Sequence, residues 1–230
     1  MNLTEAYEQI WKGKLIGMET PDKQHISRVN WTVELFPKLP PKSLLIDLGC
    51  GSGQMLAEAK RRKWNAVGYD IDQSIVNWMN SLGYDCNHKD LSTGINLDLA
   101  EADIVTCLDV IEHLIDPKYA MASAFEALKP SGTIYVGTPN CSCWRRVIQL
   151  AKGDFPRTSG DDVLKDGGHV GFYGPGDLKG ILKDTGFSDI RMHYYNSDPM
   201  PVEYLKAFDT IGPLNIWHDF TYMIASAVKP

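Results

Sequence analysis

From residue 44 onward, short runs of aliphatic residues alternate with segments whose apolar positions recur every three or four residues. The runs have the length and composition of buried strands, and the intervening segments have the period of amphipathic helices. A first strand is predicted at Leu44–Leu48, followed by a helix from about Gln54 to Lys63. A second strand, Ala66–Tyr69, ends at Asp70. Its helix carries Ile75, Trp78, Met79 and Leu82, and Gly83 stops it. A short third strand is expected around Asp85–His88 and a fourth over Asp103–Leu108. The helix that follows has Asp116 as N-cap, Pro117 in its first position and an apolar stripe of Met121, Ala124, Phe125 and Leu128. Lys129-Pro130-Ser131-Gly132 then turns the chain into a fifth strand, Thr133–Gly137. A helix over Gly176–Gly186 turns Leu178, Ile181 and Leu182 inward, a strand lies near Ile190–Tyr195, and Phe220–Val228 closes the series.

Two regions stand outside this rhythm. Residues 3–12 read as a short helix with Tyr7, Ile10 and Trp11 on one side. Asp22 to Phe36 carries Ile26, Val29, Val33 and Phe36 at helical spacing until Pro37, Pro40 and Pro41 end it. Residues 139–172, with Trp144, the Arg145-Arg146 pair and the glycine- and aspartate-rich Gly160–Gly168, suggest a loop or lid holding one short helix. The expected organisation is a helical cap over residues 1–40 and one larger unit over 41–230 with an insert at about 141–172. Alternating strands and helices joined by right-handed crossovers make an α/β, doubly wound sheet. Such sheets bind ligands outside the carboxyl ends of their strands. The glycine loop after strand one, Asp70, Asp90, Asp109 and His113 all fall at or just after predicted strand ends and should converge there.

The chemistry is densest at Asp47-Leu48-Gly49-Cys50-Gly51-Ser52-Gly53, where strand one passes through a glycine turn into a helix. Glycines tolerate left-handed backbone and let a ligand lie against the main chain, and the helix start offers unpaired N–H groups. A dinucleotide site wants G-x-G-x-x-G, but the third glycine comes one residue early and Gln54 fills the expected place. The D-x-G-x-G-x-G pattern resembles motif I of the S-adenosylmethionine (SAM) methyltransferases with a Rossmann-like fold. The resemblance continues along nearly the whole chain. Asp70 ends strand two, where that family places an acid for the ribose hydroxyls; Asp72 is read as the cap of the next helix. His88-Lys89-Asp90-Leu91 resembles the motif whose acid accepts from the adenine amino group, with Ile71 and Leu91 as covers of the ring. Val105–Leu114, Thr138-Pro139-Asn140, Gly168–Leu178 and Thr185-Gly186-Phe187 are similar to later family segments, most of all in the ubiquinone-biosynthesis O-methyltransferases and MetW-like proteins.

This resemblance implies a seven-stranded sheet, mostly parallel with an antiparallel last strand. It implies SAM as cofactor, S-adenosylhomocysteine as product, and Asp47, Gly49, Cys50, Gly51, Gly53, Asp70, Ile71, Asp90, Leu91 and Asp109 as cofactor-binding residues. The [DNS]-P-P-[YFW] motif of nucleic-acid amino methyltransferases is absent after strand four, where Asp109-Val110-Ile111-Glu112 stands.

Composition narrows the acceptor. The 230-residue chain is 43% hydrophobic and 23% charged, ordinary for a globular protein, with a formal net charge of −6. That balance argues against nucleic acid as partner, and no apolar run approaches membrane-spanning length. No signal-peptide pattern opens the chain, so cytoplasmic residence is expected. The 5 cysteines have no metal-ligand spacing and form no disulfide framework; Cys50 and Cys107 are expected buried, Cys141 and Cys143 solvent-reachable. No metal is expected.

The acceptor is expected to be a small molecule, held by the N-terminal 40 residues and the 141–168 insert. Methyl transfer from a sulfonium is an in-line displacement that needs alignment above all. A hydroxyl acceptor also needs a base, and His113 and His169 are the candidates. Each has a plainer reading, His113 as a backbone hydrogen-bond partner and His169 as a loop residue. Glu112 is a third candidate partner for the acceptor's proton, with an exposed helix-end carboxylate as the expected reading. Tyr7 and Trp11 could close over the cofactor or simply pack, and Arg145 and Arg146 could grip an anionic acceptor or face solvent. Two other functions compete: a nicotinamide oxidoreductase, disfavoured by Gln54 and Asp47, and a SAM-binding, MetW-like module acting through a protein partner.

Overall fold

The computed structural model describes residues 23–93, 101–155, 168–200 and 219–230. The helix expected over residues 3–12, and most of Gly160–Gly168, lie outside them. In chain order the elements are α1 (Lys23–Glu34), β1 (Leu44–Leu48), α2 (Gln54–Arg61), β2 (Asn65–Asp70), α3 (Gln73–Ser81), β3 (Cys86–His88), β4 (Ala102–Leu108), a 3-10 turn (Ile111–His113), α4 (Pro117–Ala127), β5 (Leu128–Pro139), α5 (Trp144–Ala151), α6 (Pro175–Thr185), β6 (Ser188–Ser197) and β7 (Phe220–Val228).

The strands form one seven-stranded sheet in the order β3-β2-β1-β4-β5-β7-β6. β1 pairs in parallel with β2 and β4, β2 with β3, and β4 with β5; β7 is antiparallel to both its neighbours. The order reverses beside β1, so the crevice between the ends of β1 and β4 is where a ligand enters.

The sheet is covered on both faces, which is why its central strands are apolar on successive residues. Ile46 and Leu48 of β1, Val105 and Cys107 of β4, and Ile134 and Val136 of β5 pack with Met121 of α4 and Leu178 and Leu182 of α6. Leu45, Ile104 and Tyr135 point the other way, against Phe36, Leu56, Ala59, Val76 and Met79. Asp116 caps α4 through the Lys118 N–H at 3.0 Å, and Asp72 caps α3 through the Ser74 N–H at 2.7 Å.

Three local expectations need correction. Trp78 and Leu82 are 37% and 51% exposed; α3 instead buries Ile75, Val76 and Met79, because its core-facing stripe is narrower than its apolar one. Leu128 does not complete the stripe of α4. The helix ends at Ala127, and Leu128 already pairs with Ala102 as the first residue of β5, ahead of a register irregularity. Cys143 is buried with 1% exposure, enclosed where α5 begins, whereas Cys141 is half-buried.

Candidate functional site

The turn after β1 is held from beneath. The Gly49 and Cys50 N–H groups both donate to the Tyr69 carbonyl, at 2.8 and 3.0 Å, and Gly53 donates to Cys50 at 2.9 Å. Gly49, Gly51 and Gly53 all have positive φ, 75°, 46° and 74°, a conformation that costs other residues free energy. They differ in surroundings. A Cβ on Gly53 would stand 1.9 Å from Met79 Cε and one on Gly49 2.3 Å from Val110 Cγ2, whereas one on Gly51 would meet nothing within 4 Å. Gly51 therefore faces open space, and Gly53 is a packing glycine that does not border that space.

That space is a cavity over the carboxyl ends of β1, β2 and β4. It is lined by Asp47, Gly49, Cys50, Gly51, Asp70, Ile71, Asp90, Leu91, Asp109 and His113 among the residues named from sequence, and also by Arg28, Val29, Gln54, Val110 and Leu114. Its anionic side is organised by β-strand ends. Asp70 accepts the Gly51 N–H at 2.9 Å on one oxygen and the Asp72 N–H at 3.0 Å on the other. Burial raises its pKa against the pull of those two bonds. Asp47 accepts from the Thr106 hydroxyl at 2.7 Å; burial pushes its carboxyl up from 3.8 to about 7, with the Asp70 charge adding to the effect. Asp90 takes the Ser92 N–H and hydroxyl on one oxygen, at 2.9 and 2.6 Å, so it makes the local turn and borders the cavity as well.

Asp109 has φ 55°, a left-handed conformation that aspartate tolerates better than most residues. Its N–H donates to the Gly137 carbonyl at 2.9 Å. Its carboxylate meets Arg28 of α1 at 2.6 Å, and the guanidinium lies 4.8 Å from the centre of the Tyr222 ring. Burial works against the Arg28 charge, but Asp109, Tyr222 and Glu112 together outweigh it and the pKa is raised. Sequence reasoning missed Arg28. Its one signal was an arginine beside Val29 on the inward flank of α1, which the apolar periodicity passed over.

Glu112 is not exposed. It is 2% accessible and accepts from the Thr138 hydroxyl at 3.0 Å. Burial first, and the Asp109 charge second, raise its pKa well above the carboxylate range. Its other oxygen, Oε1, is buried without a hydrogen-bond partner among the described residues. The cause of burial is tertiary: Val170 and Gly171 donate their N–H groups to the Glu112 carbonyl at 2.8 and 2.9 Å, laying the 168–173 segment over the 3-10 turn. The same clamp sets the His169 ring edge-on to His113, with centroids 4.6 Å apart. Glu112, His113 and His169 present ligand atoms within 4.8 Å of one another, a donor set that can pass a proton between its members or hold a divalent cation. His169 does not line the cavity itself; it backs His113.

Arg145 lies elsewhere. It pairs with Asp198 and stacks on Trp144, 4.7 Å from the ring centre, so its charge is met by a carboxylate just past the end of β6 and not by the cavity.

The residues present suit SAM. Gly51 leaves open space where the chain of the ligand would cross, Gln54 Nε2 is buried with no hydrogen-bond partner among the described residues, and Asp70 retains lone pairs for a diol. The cationic sulfonium and ammonium would face a wall carrying Asp47 and Asp109, while Arg28 offers a guanidinium to a carboxylate.

Residues 24–191 match the family model described as a methyltransferase domain. A ubiquinone biosynthesis O-methyltransferase of Hahella chejuensis is 30% identical over 207 residues, covering 84% of this chain and 78% of that protein. One of Methylococcus capsulatus is 24% identical over 188 residues, covering 71% and 75%. Among solved structures, a SAM-dependent methyltransferase described as a possible histamine N-methyltransferase from Thermotoga maritima superposes with a TM-score of 0.68 at 14% identity, covering 100% of both chains. One from Archaeoglobus fulgidus gives 0.64 at 19% identity, covering 88% of this chain and 92% of that one. A seven-stranded sheet reversed at β1, a glycine turn opening onto a cavity flanked by strand-end acids, and a family match across most of the sequence lead to one conclusion: this chain belongs to the methyltransferase-domain family and is a SAM-dependent methyltransferase.

Proposed function

We propose that this enzyme moves the methyl group of SAM to an oxygen of a small-molecule acceptor, with His113 taking the acceptor's proton and His169 positioned to share it. The observation that carries the reading is the pairing of the two imidazoles, 4.6 Å apart between ring centres at the wall of the cofactor cavity. A hydroxyl acceptor holds its proton at neutral pH and needs a base to lose it in the transfer. The names of the ubiquinone biosynthesis relatives support the same choice.

In this reading Asp70 receives the ribose diol, Asp90 the adenine amino group, and Ile71 and Leu91 cover the adenine ring. Asp47, Gly49, Cys50, Gly51 and Asp109 form the path of the methionine portion, with Gly53 shaping the turn from behind against Met79, and Arg28 meets its carboxylate. Glu112, whose carboxyl burial holds toward its protonated form, lies within reach of both imidazoles and can hydrogen-bond the one that takes the acceptor's proton. The N-terminal 40 residues act as a cap and the 141–172 insert as a lid, together enclosing the acceptor. The net charge of −6 argues against nucleic acid as the acceptor. Among the described residues no helix is long and apolar enough to cross a membrane.

The test is turnover of SAM with a panel of phenols, aliphatic alcohols, amines and thiols. His113→Gln should lower turnover of a hydroxyl acceptor about 10²–10⁴-fold and His169→Gln less, with SAM affinity nearly unchanged and the loss shrinking as pH rises. A chelator added to the same assay separates a proton-transfer role of the Glu112, His113 and His169 set from a metal-holding one. Full turnover by both variants at neutral pH would overturn the oxygen assignment.

A further inference from the structure

The sulfur atoms of Cys50 and Cys86 lie 3.8 Å apart, although Cys50 is in the turn after β1 and Cys86 opens β3. Gly68 of β2 sits between them, paired with Asp47 on one side and with Cys86 on the other. A Cβ at position 68 would stand 2.8 Å from the Cys50 sulfur and 3.0 Å from the Cys86 sulfur. The side chain that glycine lacks is thus the space in which the two thiols meet. Cys50 also lines the cofactor cavity and Cys86 does not, so a small solute reaches the pair through the cavity. Both thiols are free, and methyl transfer uses neither.

We propose that Cys50 and Cys86 form a redox pair that a hydroperoxide joins into a disulfide, abolishing cofactor binding, and that bound cofactor shields it. The chemistry balances in two steps. Cys50 sulfur attacks the terminal oxygen of the hydroperoxide, the O–O bond breaks, and Cys50 becomes a sulfenic acid while an alcohol (or water, from hydrogen peroxide) leaves. Cys86 sulfur then attacks Cys50 sulfur, the S–O bond breaks, and the hydroxide departs as water with the Cys86 proton. Two thiols lose two electrons in all, and the peroxide gains them. The hydrogen bond between the thiols, and then burial, hold Cys50 above its usual range, while the same bond holds Cys86 below its own, so Cys50, the thiol at the cavity, attacks slowly and Cys86 is the readier resolving sulfur. The first step is therefore slow at neutral pH and quickens as pH rises.

The consequence for binding follows from which partner can move. A disulfide holds its sulfurs at about 2.05 Å, so the pair must close by roughly 1.8 Å. Cys86 is fixed at both ends of its backbone by Asn80, whose side chain accepts from the Cys86 N–H and donates to its carbonyl, each at 2.9 Å. Cys50 is likewise bonded at its N–H and carbonyl, to Tyr69 and Gly53, but it sits between Gly49 and Gly51 in a turn of positive-φ glycines, and the conformational freedom of those glycines makes this the side that yields. Drawing it toward β3 pulls Gly51 off the cavity wall and away from its 2.9 Å bond to Asp70.

The experiment uses the whole protein treated with hydrogen peroxide, with and without saturating S-adenosylhomocysteine. It rests on the cofactor alone and not on the acceptor; binding to the reduced protein is the control for that. The treated protein should lose about 2 Da, yield a peptide linking Cys50 to Cys86, and bind S-adenosylhomocysteine at least about tenfold more weakly until dithiothreitol restores it. Bound S-adenosylhomocysteine should slow the loss. In Cys86→Ser no mass is lost in this way, and dimedone traps Cys50 as its sulfenic acid. Peptide mapping of the wild type that finds no Cys50–Cys86 link, or a link with unchanged affinity, overturns the proposal.

Discussion

Replacing Asp47 by asparagine should remove a pH dependence of SAM binding. Burial raises this carboxyl from 3.8 to about 7, opposed by the Thr106 hydroxyl and assisted by the Asp70 charge. About half of the molecules therefore hold a proton there at pH 7. A cationic ligand against the same wall favours the carboxylate, so binding expels that proton. With a bound value well below 6, linkage makes wild-type affinity rise about tenfold between pH 6 and pH 8 and level off above. Asparagine keeps an oxygen for the Thr106 hydroxyl and does not titrate. The assay is calorimetry at pH 6, 7 and 8, repeated at pH 7 in buffers of different ionisation enthalpy, where release of about half a proton is expected. Titration of the ligand's own ammonium appears equally in both proteins, so the difference between them isolates Asp47. The variant should also change stability, with a definite sign. The folded pKa lies above the unfolded one, so the native state binds the extra proton and wild-type stability falls as pH rises from about 4 to about 7. The penalty, complete above that window, is at most about 4 kcal/mol. A variant that keeps the wild-type pH slope of binding would show that the proton resides elsewhere and refute the reasoning.

Asp70→Ala should weaken SAM binding about tenfold or more, because a hydrogen-bonded charged contact contributes roughly 1.5–3 kcal/mol; titration calorimetry measures it, and unchanged affinity removes Asp70 from the site. Gly53→Ala should cost about 1–3 kcal/mol of folding stability through the clash with Met79 and the positive φ. Gly51→Ala, whose Cβ meets no protein atom within 4 Å, should act mainly on cofactor affinity; urea denaturation and binding compared side by side separate the two. A double-mutant cycle of Arg28→Ala and Asp109→Ala should return a coupling of about 1–3 kcal/mol; independent effects would mean that the 2.6 Å ion pair contributes nothing net.

The alternation of strand and helix was legible because parallel strands covered on both faces must be apolar at successive positions, a constraint written into the runs of β1, β2, β4 and β5. Caps were legible for a similar reason: Asp72 and Asp116 satisfy N–H groups two residues away, within reach of local sequence. The glycine turn and the acids at strand ends belong to the same class, since strand ends share one rim once the sheet is parallel. What the sequence left open depends on contacts between distant segments. Arg28 looks like a polar residue on an amphipathic helix until α1 docks against β7 and the guanidinium meets both Tyr222 and Asp109. Glu112 looks like an exposed helix-end carboxylate, and Gly68 like a weak position in a strand. Only the packing of residues 168–173 over the 3-10 turn buries the first, and only the order β3-β2-β1 makes the second the meeting place of two thiols. Polarity and periodicity report which face of its own element a residue occupies; they carry no term for what another part of the chain lays on top of it.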